Sequence, residues 1–269
     1  IDKNNEIQHD IKPPYCDENG CNWDAAEKLQ VKGSSARKIW TALDVEENPK
    51  ANYIGNWNNW RTANKGPIEF LFEETGNTVQ DFHHTTSTCK DKPGVVDGNA
   101  DDIEGLIQFL RGQNYYDYGG GCNLTLDRPS MLADIYNSQL IEVGAPSANT
   151  EFKSNNEEAY WRAMQGYSNF KNSKSERAKV IYAGSNDGLL HAFFAGNNRA
   201  KEGQELWAFI PPMIASKLPL VINTGYDGKF ENDGGGTNAI FGVDGSPVAH
   251  DAKIYGLKVL RANVQDNKN

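Results

Sequence analysis

The chain has 269 residues, and its 36 Asp and Glu outnumber its 27 Lys and Arg to give a net charge of -9. This acidic balance excludes general affinity for nucleic-acid phosphates or an anionic membrane surface, since both need a basic field. No apolar run approaches the ~18 residues of a membrane-spanning helix, so we expect no transmembrane segment and one or two soluble domains. The first residue is Ile1, from which we expect a processed form or a fragment.

The four cysteines, Cys16, Cys21, Cys89 and Cys122, allow three pairings. Cys16 and Cys21 flank the turn-forming residues "DENG", which makes a local pair the simplest choice and leaves Cys89 with Cys122. Zinc is the alternative, but only one cysteine pair is close in sequence and no His pair lies beside it. We therefore predict disulfides in a Gly- and Asp-rich region that has little core of its own.

Residues 1–136 read as an irregular region of helices and loops. The spacing of Trp23, Ala26 and Leu29 predicts a helix capped by Asn22 or Asp24. A second helix is predicted over "DDIEGLIQFLRG", residues 101–112, which ends at a glycine. The run "PIEFLFEET" between them, residues 67–75, is interpreted as a short edge strand.

A third helix is predicted over "NNEEAYWRAMQGYSNF", residues 155–170. Tyr160, Met164 and Tyr167 lie on one of its faces, which we interpret as core packing because an apolar stripe at helical period is typical of a buried face. Beyond residue 178, runs rich in β-branched and aromatic residues alternate with Gly, Asn and Asp, as in antiparallel β-structure. These runs are "KVIYAG", "GLLHAFFA", "QELWAFI", "AIFGV" and "SPVAHDAKIYGLKVL".

Two features interrupt or join these runs. The segment "PPMIASKLPLV", residues 211–221, predicts a helix of about two turns that starts at proline. Asn186, Asp187 and Gly188 predict a hairpin turn, in which Gly188 accepts a positive φ and Asp187 is a turn residue before it is a ligand. His191, in "LLHAFF", is predicted to be buried with its ring nitrogens bonded to backbone.

The strongest metal candidate is the oxygen-rich run "DGNADDIE". Asp97, Asn99, Asp101 and Glu104 are a candidate calcium site because a hard cation prefers many oxygen ligands. The sixth and twelfth positions of a calcium loop are not met, however, and capping of the following helix explains Asp97 and Asn99 without an ion. Both interpretations stay open, and calcium is the one cofactor expected.

Other candidates have simpler interpretations. The acidic residues of the Gly-rich loop, Asp227, Glu231, Asn232 and Asp233, show no recognised ligand spacing and are interpreted as a solvated loop. His83 and His84 are adjacent, so regular structure would point them in opposite directions. Trp57 and Trp60 are either exposed partner contacts or part of the core, and the high average burial of Trp favours the core.

Motifs for catalysis are missing from the sequence. No G-x-S-x-G, P-loop, H-E-x-x-H or dinucleotide fingerprint after a strand is present, so no nucleotide cofactor is expected. The C-x-x-C-H sequence of covalent haem attachment is absent, so no c-type haem is expected. We therefore expect no catalytic residues.

Seven stretches, in order, resemble the C-terminal domain of the PilY/PilC-type proteins of bacterial type IV pili. They are "NWDAAEKL", "ARKIWTAL", "DDIEGLIQFLRG", "RPSMLADIYNSQLIEVGAP", "KVIYAGSNDGLLHAFFA", "ELWAFIPP" and "VDGSPVAHDA". The pair "GSNDGLLHAF" and "ELWAFIPP" is the most specific, and together the stretches cover most of residues 22–255.

The resemblance implies a mainly β fold with helices, in which residues 137–269 form the first blades of a quinoprotein-like β-propeller. At ~40–50 residues per blade, these residues suffice for two or three blades, so the propeller is expected to be incomplete.

The resemblance also implies a non-enzymatic, extracellular protein at the pilus tip or outer membrane of a Gram-negative bacterium. Such a protein promotes pilus assembly and adhesion to a surface or host, with pilins or minor pilins as partners and with calcium as a modulator. A fragment of a quinone-dependent oxidoreductase of the PQQ type is the alternative, because its blades are similar.

Overall fold

The computed structural model describes nine parts of the chain, and the predicted disulfides, the acidic loop with Asp227 and Glu231, and the pair His83 and His84 lie outside them. No helix among the described residues is long and apolar enough to cross a membrane. The described parts are 23–43, 58–74, 100–113, 126–128, 130–151, 156–196, 198, 200–221 and 242–252.

One five-stranded sheet organises the described residues. Its spatial order is β1-β5-β4-β3-β2, and every neighbouring pair is antiparallel except β1 with β5, which is parallel. The strands predicted from "KVIYAG", "GLLHAFFA" and "QELWAFI" are confirmed as β3, β4 and β5. The strand bounds are β1 Ile39–Thr41, β2 Ile141–Val143, β3 Val180–Gly184, β4 Leu190–Phe194 and β5 Glu205–Ile210.

The edge strand β1 comes from the first predicted region and pairs with β5 of the second. Ile39 is opposite Ala208 and Thr41 is opposite Ile210, with all four side chains turned to the buried face. The hydroxyl of Thr41 also donates to the carbonyl of Ile210 at 2.7 Å. The two predicted regions therefore share one sheet.

Among the described residues, α-helices contain about twice as many residues as strands, so this part is mixed α and β rather than mainly β. It contains one sheet, and the number of blades stays a prediction. The five α-helices are α1 Ala25–Lys32, α2 Lys65–Glu74, α3 Ala100–Arg111, α4 Glu157–Met164 and α5 Tyr167–Ser173.

The predicted helices α1 and α3 are confirmed. Asp24 caps α1 by accepting the amides of Ala26 and Glu27 at 2.7 and 3.0 Å, which satisfies donors that have no partner inside the helix. Helix α3 ends before Gly112, whose φ of +110° belongs to the region that favours glycine.

The interpretation of "PIEFLFEET" as an edge strand is wrong, because residues 67–74 belong to α2. Pro67 lies in the first turn of that helix, where a missing amide hydrogen removes no internal hydrogen bond. Ile68 and Leu71, three residues apart, are both buried. Helical spacing therefore describes this short apolar run better than alternation does.

The main core lies between one face of the sheet and helices α2 and α3, with the 3₁₀ helix Pro212–Val221 beside α2. This last element confirms the predicted proline-started helix, in the tighter 3₁₀ form. Core residues from these elements are fully or almost fully buried. They include Ile39, Trp60, Ile68, Leu71, Ile103, Leu106, Ile107, Phe109, Leu110, Leu189, Ala208, Ile210, Ala215 and Leu218.

The third predicted helix is divided in two by Gly166, which adopts a left-handed conformation with φ +73° between α4 and α5. Its predicted core stripe is wrong. Tyr160 is 38% exposed and Met164 is 64% exposed, and Ala159 is the one buried residue of α4. A helical period places side chains on one face, but it does not decide whether another element covers that face.

The hairpin between β3 and β4 is confirmed, and Gly188 has the predicted positive φ, at +88°. Residues 242–252, part of two predicted strands, form no strand. They lie against the hairpin and the segment before β2 instead. The Val243 amide donates to the Ser185 carbonyl at 3.1 Å, and the Ser246 hydroxyl accepts the Gln139 amide at 3.1 Å.

Candidate functional site

A buried ion pair lies where the sheet meets the helices. The guanidinium of Arg37, just before β1, donates from Nε to Oε2 of Glu205 at 3.0 Å and from Nη2 to Oε1 at 2.8 Å. Both side chains are fully buried. The remaining nitrogen, Nη1, donates to the carbonyls of Leu110 and Arg111 at 3.2 and 3.0 Å, so Arg37 also satisfies the carboxyl end of α3.

The network continues through His191 on β4. Its Nδ1 lies 2.9 Å from Oε1 of Glu205, and its Nε2 lies 2.9 Å from the Ser185 hydroxyl. The same hydroxyl is hydrogen-bonded to the carboxylate of Asp187. His191 is buried as predicted, but its ring nitrogens contact side chains rather than the backbone.

The order serine, histidine, carboxylate is that of a hydrolase triad, but the burial of these residues argues for a structural role. A triad needs an exposed nucleophile next to donors that stabilise an oxyanion. Ser185 is 1% exposed and His191 is 0% exposed. The Ser185 hydroxyl is also within 3.1 Å of the Leu189 carbonyl, inside its own turn. A substrate has no path to this serine.

Electrostatics favour charged groups throughout the network. Burial opposes the charge of Glu205, but the charge of Arg37 and hydrogen bonds from His191 and Arg37 lower the pKa of Glu205 far below its ordinary 4.5. Burial likewise opposes protonation of His191, yet hydrogen bonds and charge from Asp187 and Glu205 raise its pKa above 6.5.

Asp187 and Arg37 follow the same pattern. The pKa of Asp187 is lowered despite burial, through its interactions with His191 and Ser185, and that of Arg37 is raised despite burial, chiefly by Glu205. Two cations and two carboxylates thus compensate one another inside the fold. As predicted, Asp187 also acts as a turn residue, because its carboxylate accepts the Leu189 amide at 3.2 Å.

Most of the candidate calcium residues lie outside what the structure describes. Asp97 and Asn99 are not described, and for Asp101 only the helical backbone is. Glu104 is half-exposed, and its carboxylate is 2.5 Å from Nζ of Lys65. Among the described residues, no group of three or more His, Cys, Asp or Glu is arranged to hold a metal ion. Calcium binding at this run stays a prediction.

Of the two tryptophans considered as partner contacts, the structure describes Trp60. Trp60 is 0% exposed and packs in the main core, in line with the core alternative, because it lies under the helices that cover the sheet. It therefore presents no surface to a partner. Trp57 lies outside the described residues.

The exposed aromatic surface lies elsewhere, on α4 and α5. A groove of about 460 Å³ runs beside the junction of these helices, and we call it the α4–α5 groove. Trp161, which is 59% exposed, forms one wall and meets Tyr160 edge to face at 5.5 Å between ring centroids. The groove is lined by Trp161, Arg162, Gln165, Gly166, Tyr167, Phe170, Asp251 and Ala252.

One polar anchor fixes the far side of the groove. The Tyr167 hydroxyl donates to Oδ2 of Asp251 at 2.7 Å, and Nη2 of Arg177 lies 3.6 Å from Oδ1. Arg177 also donates from Nε to the Gly144 carbonyl at 2.6 Å. The segment that contains Asp251 is thereby held against α5. The sequence signal for this surface is the stripe of Tyr160, Met164 and Tyr167, which the sequence analysis interprets as core, whereas Trp161 is not singled out there.

The class of protein follows from a match to a family model. Residues 132–259 match the family model described as the PilY1 beta-propeller domain. These residues include β2 to β5 and the residues that line the α4–α5 groove. The class is therefore a β-propeller domain with an appended helical layer. No solved structure matches the chain.

Curated relatives identify the family. The chain is 32% identical over 228 residues to the type IV pilus biogenesis factor PilY1 of Pseudomonas aeruginosa strain PAO1, and the alignment covers 84% of this chain and 17% of that protein. It is also 32% identical over 157 residues to a PilY1 homolog of Xylella fastidiosa, with 58% and 11% covered. The chain belongs to the PilY1 family of type IV pilus biogenesis factors. It spans about a sixth of the length of the Pseudomonas relative and about a ninth of the length of the Xylella relative.

Proposed function

We propose that the chain is a non-enzymatic part of a pilus biogenesis factor and that it promotes pilus assembly by binding a pilin subunit in the α4–α5 groove. The exposed Trp161 beside an apolar groove carries this proposal. Exposed aromatic side chains are often the residues that anchor a protein–protein interface. The relatives are named pilus biogenesis factors, and pilin is chosen as the occupant because it is the subunit from which a pilus is built.

The shape of the groove supports a protein partner. Trp161 and Met164 are both more than half exposed on α4, and Trp161 lines the groove together with Phe170. An exposed apolar patch of this kind is typical of a surface that another protein covers. The anchored carboxylate of Asp251 provides a polar group at the edge, as interface rims commonly do.

A binding role without catalysis also agrees with the buried network. Ser185, His191 and Glu205 have the order of a triad but no access to solvent, and their charges are used to join β4 and β5 to Arg37. Placement at the cell surface or pilus tip, adhesion to a surface or host, and modulation by calcium are further parts of this proposal, and they rest on the family resemblance.

The test uses the full-length gene in a piliated Gram-negative host. Trp161→Ala should lower the number of surface pili and the amount of pilin that copurifies with the protein, because the largest exposed anchor is lost. Tyr136→Ala is the matched control, since Tyr136 is 77% exposed and lies outside the groove. Normal piliation with Trp161→Ala would reject the groove, and normal piliation after deletion of the gene would reject the pilus role itself.

A further inference from the structure

A second pocket, remote from the α4–α5 groove, lies at the carboxyl end of α3. It has a volume of about 190 Å³, roughly six times the ~30 Å³ that a water molecule occupies in the liquid. Its lining residues carry hydroxyl, amide and guanidinium groups, and among the described residues none of them carries a carboxylate. We call it the cationic pocket, and its lining residues are Ser35, Arg61, Thr62, Gln108, Arg111 and Gln113.

Arg111 is the buried cation of this pocket. It is 5% exposed, and its hydrogen bonds all go to uncharged oxygens. Nη1 donates to the Asn58 side chain at 3.0 Å and to the Trp60 carbonyl at 3.1 Å. Nη2 donates at 2.7 to 3.4 Å to the carbonyls of Ser34, Ser35 and Arg37. These bonds fix the guanidinium plane, but they do not neutralise its charge.

Neighbouring cations add to the positive charge around Arg111. Burial, together with the positive charges of Arg37 and Arg61, lowers the pKa of Arg111 to about 10. Glu205 is the carboxylate that offsets this effect, and it is already bound to Arg37 and His191. Within the described residues, Arg61 is exposed and forms no ion pair.

Neither of two other carboxylates in the described part of the chain serves as the counter-ion of Arg111. Glu104 is paired with Lys65, and Asp127, whose Oδ2 accepts the Ser34 amide at 3.1 Å, does not shift the pKa of Arg111. A buried charge that lacks a counter-ion is costly, and an ion from solution can supply the missing charge. The molecule as a whole carries a net charge of -9, so a local excess of cations at a pocket stands out from the general surface.

We propose that the cationic pocket binds a small oxyanion, which the Arg61 guanidinium and the side-chain donors of Ser35, Thr62, Gln108 and Gln113 hold, while the buried charge of Arg111 attracts it. Guanidinium groups suit this ligand because their planar donors match the oxygens of phosphate or carboxylate. Inorganic phosphate and a carboxylate share this chemistry. The inference goes beyond the proposed function and does not depend on pilin binding.

Calorimetric titration of the 269-residue chain tests the proposal. Sodium phosphate is titrated at pH 7 with the ionic strength held constant by chloride, and sodium acetate is titrated in parallel to separate phosphate from a simple carboxylate. Saturable binding of either anion at one site is expected. Arg61→Ala should raise the dissociation constant about tenfold or more, because a hydrogen bond between charged groups is lost.

Arg162→Ala is the matched control, because Arg162 belongs to the α4–α5 groove and pairs with Glu158 on its own helix. It should leave anion binding unchanged. Gln108→Ala, which removes a neutral donor from the pocket, should weaken binding less than Arg61→Ala does. The absence of saturable binding of both anions up to about 50 mM would overturn the proposal, and so would equal losses in Arg61→Ala and Arg162→Ala.

Discussion

Glu205 and Arg37 form a fully buried, two-pronged ion pair across 168 residues of sequence, with nitrogen–oxygen distances of 3.0 and 2.8 Å. The pair joins β5, the last described strand in chain order, to Arg37, which lies two residues before β1. Because each partner is buried, loss of one leaves the charge of the other uncompensated. The stability of the domain therefore depends strongly on this ion pair.

The first prediction concerns this pair. Glu205→Gln should lower the free energy of unfolding by about 3–5 kcal/mol, since Arg37 is left buried without its counter-charge. Urea titration followed by tryptophan fluorescence measures the change. Glu158→Gln removes a carboxylate from the exposed pair with Arg162 and should change stability by about 0.5 kcal/mol or less. Equal effects of the two substitutions would contradict the structural role assigned to Glu205.

The second prediction is a pH dependence of stability. The folded pKa of His191 is raised, so its contribution is complete below its ordinary 6.5 and is lost as the pH rises through the folded pKa. The folded pKa values of Glu205 and Asp187 are lowered, so their contributions are present above their ordinary 4.5 and 3.8 and are lost as the pH falls through the folded values.

Stability from the network should therefore be greatest between about pH 4.5 and 6.5. The free energy of unfolding, measured by urea titration at pH 5.5 and 8, should be higher at the lower pH, and His191→Gln should reduce the difference. His250→Gln is the matched control, because His250 is exposed. A pH profile that His191→Gln leaves unchanged would contradict a protonated His191 in the folded state.

The third prediction concerns the hairpin turn. Gly188→Ala should destabilise the fold by about 1–3 kcal/mol, because φ is +88° and an added Cβ would lie 2.7 Å from Leu218 Cδ2 and 2.9 Å from Ile214 Cδ1. Thermal unfolding measures the loss. Gly245→Ala, where an added Cβ meets no atom within 4 Å, should be nearly neutral. Similar melting temperatures for both variants would contradict the strained turn.

The fourth prediction separates the two kinds of tryptophan. Trp60→Ala should cost about 3–5 kcal/mol of unfolding free energy, because it opens a cavity in the main core. Trp161→Ala should cost far less, about 0.5 kcal/mol, because its side chain is mostly in water. Urea titration of the two variants provides the comparison. A large loss in Trp161→Ala would show that the α4–α5 groove belongs to the core of the fold.

The fifth prediction tests calcium. If the run from Asp97 to Glu104 is a calcium site, calorimetric titration of the chain with calcium chloride should give saturable binding that Asp97→Ala weakens at least tenfold, because a charged ligand is lost. Asp134→Ala, which removes an exposed carboxylate elsewhere, is the control. An isotherm that Asp97→Ala leaves unchanged would remove this run as the site.

The sequence predicted those elements whose signal is local. The hairpin follows from two strand-forming runs and a glycine at Gly188, and α3 follows from a regular apolar period that ends at Gly112. For α2 the local signal was ambiguous, because a short apolar run fits a strand and a buried helix equally well. The helix packs against α3, and a local sequence pattern carries no information on that tertiary contact.

The inward orientation of Glu205 could not be predicted from alternation, because it depends on a β-bulge. Simple alternation along β5 places Glu205 on the same face as Trp207 and Phe209. In the structure Ala192 pairs with Trp207 while Phe193 pairs with Glu205, so a bulge at Leu206 shifts the register and turns Glu205 inward. Leu206 is left 37% exposed, while Glu205 is 2% exposed.

The candidate binding surfaces depend on what lies around them. The stripe of Tyr160 and Met164 was recognised as one face, but periodicity carries no information on whether that face is covered. The cationic pocket depends on three segments that are distant in sequence, around Ser35, Arg61 and Arg111. Such a cluster of charges appears only when the fold brings the segments together.

The parallel pairing of β1 with β5 sets an order of events during synthesis. Arg37 and the adjoining strand leave the ribosome 168 residues before Glu205, which at about 5–20 residues per second is a delay on the order of ten seconds or more. During that interval the edge of β1 that faces β5 has no partner, although residues 58–60 can already hydrogen-bond to its other edge, and the Arg37 guanidinium lacks Glu205. The amino-terminal part of this domain must therefore wait for its carboxyl-terminal part, and a factor that shields a newly made strand edge would act in this interval.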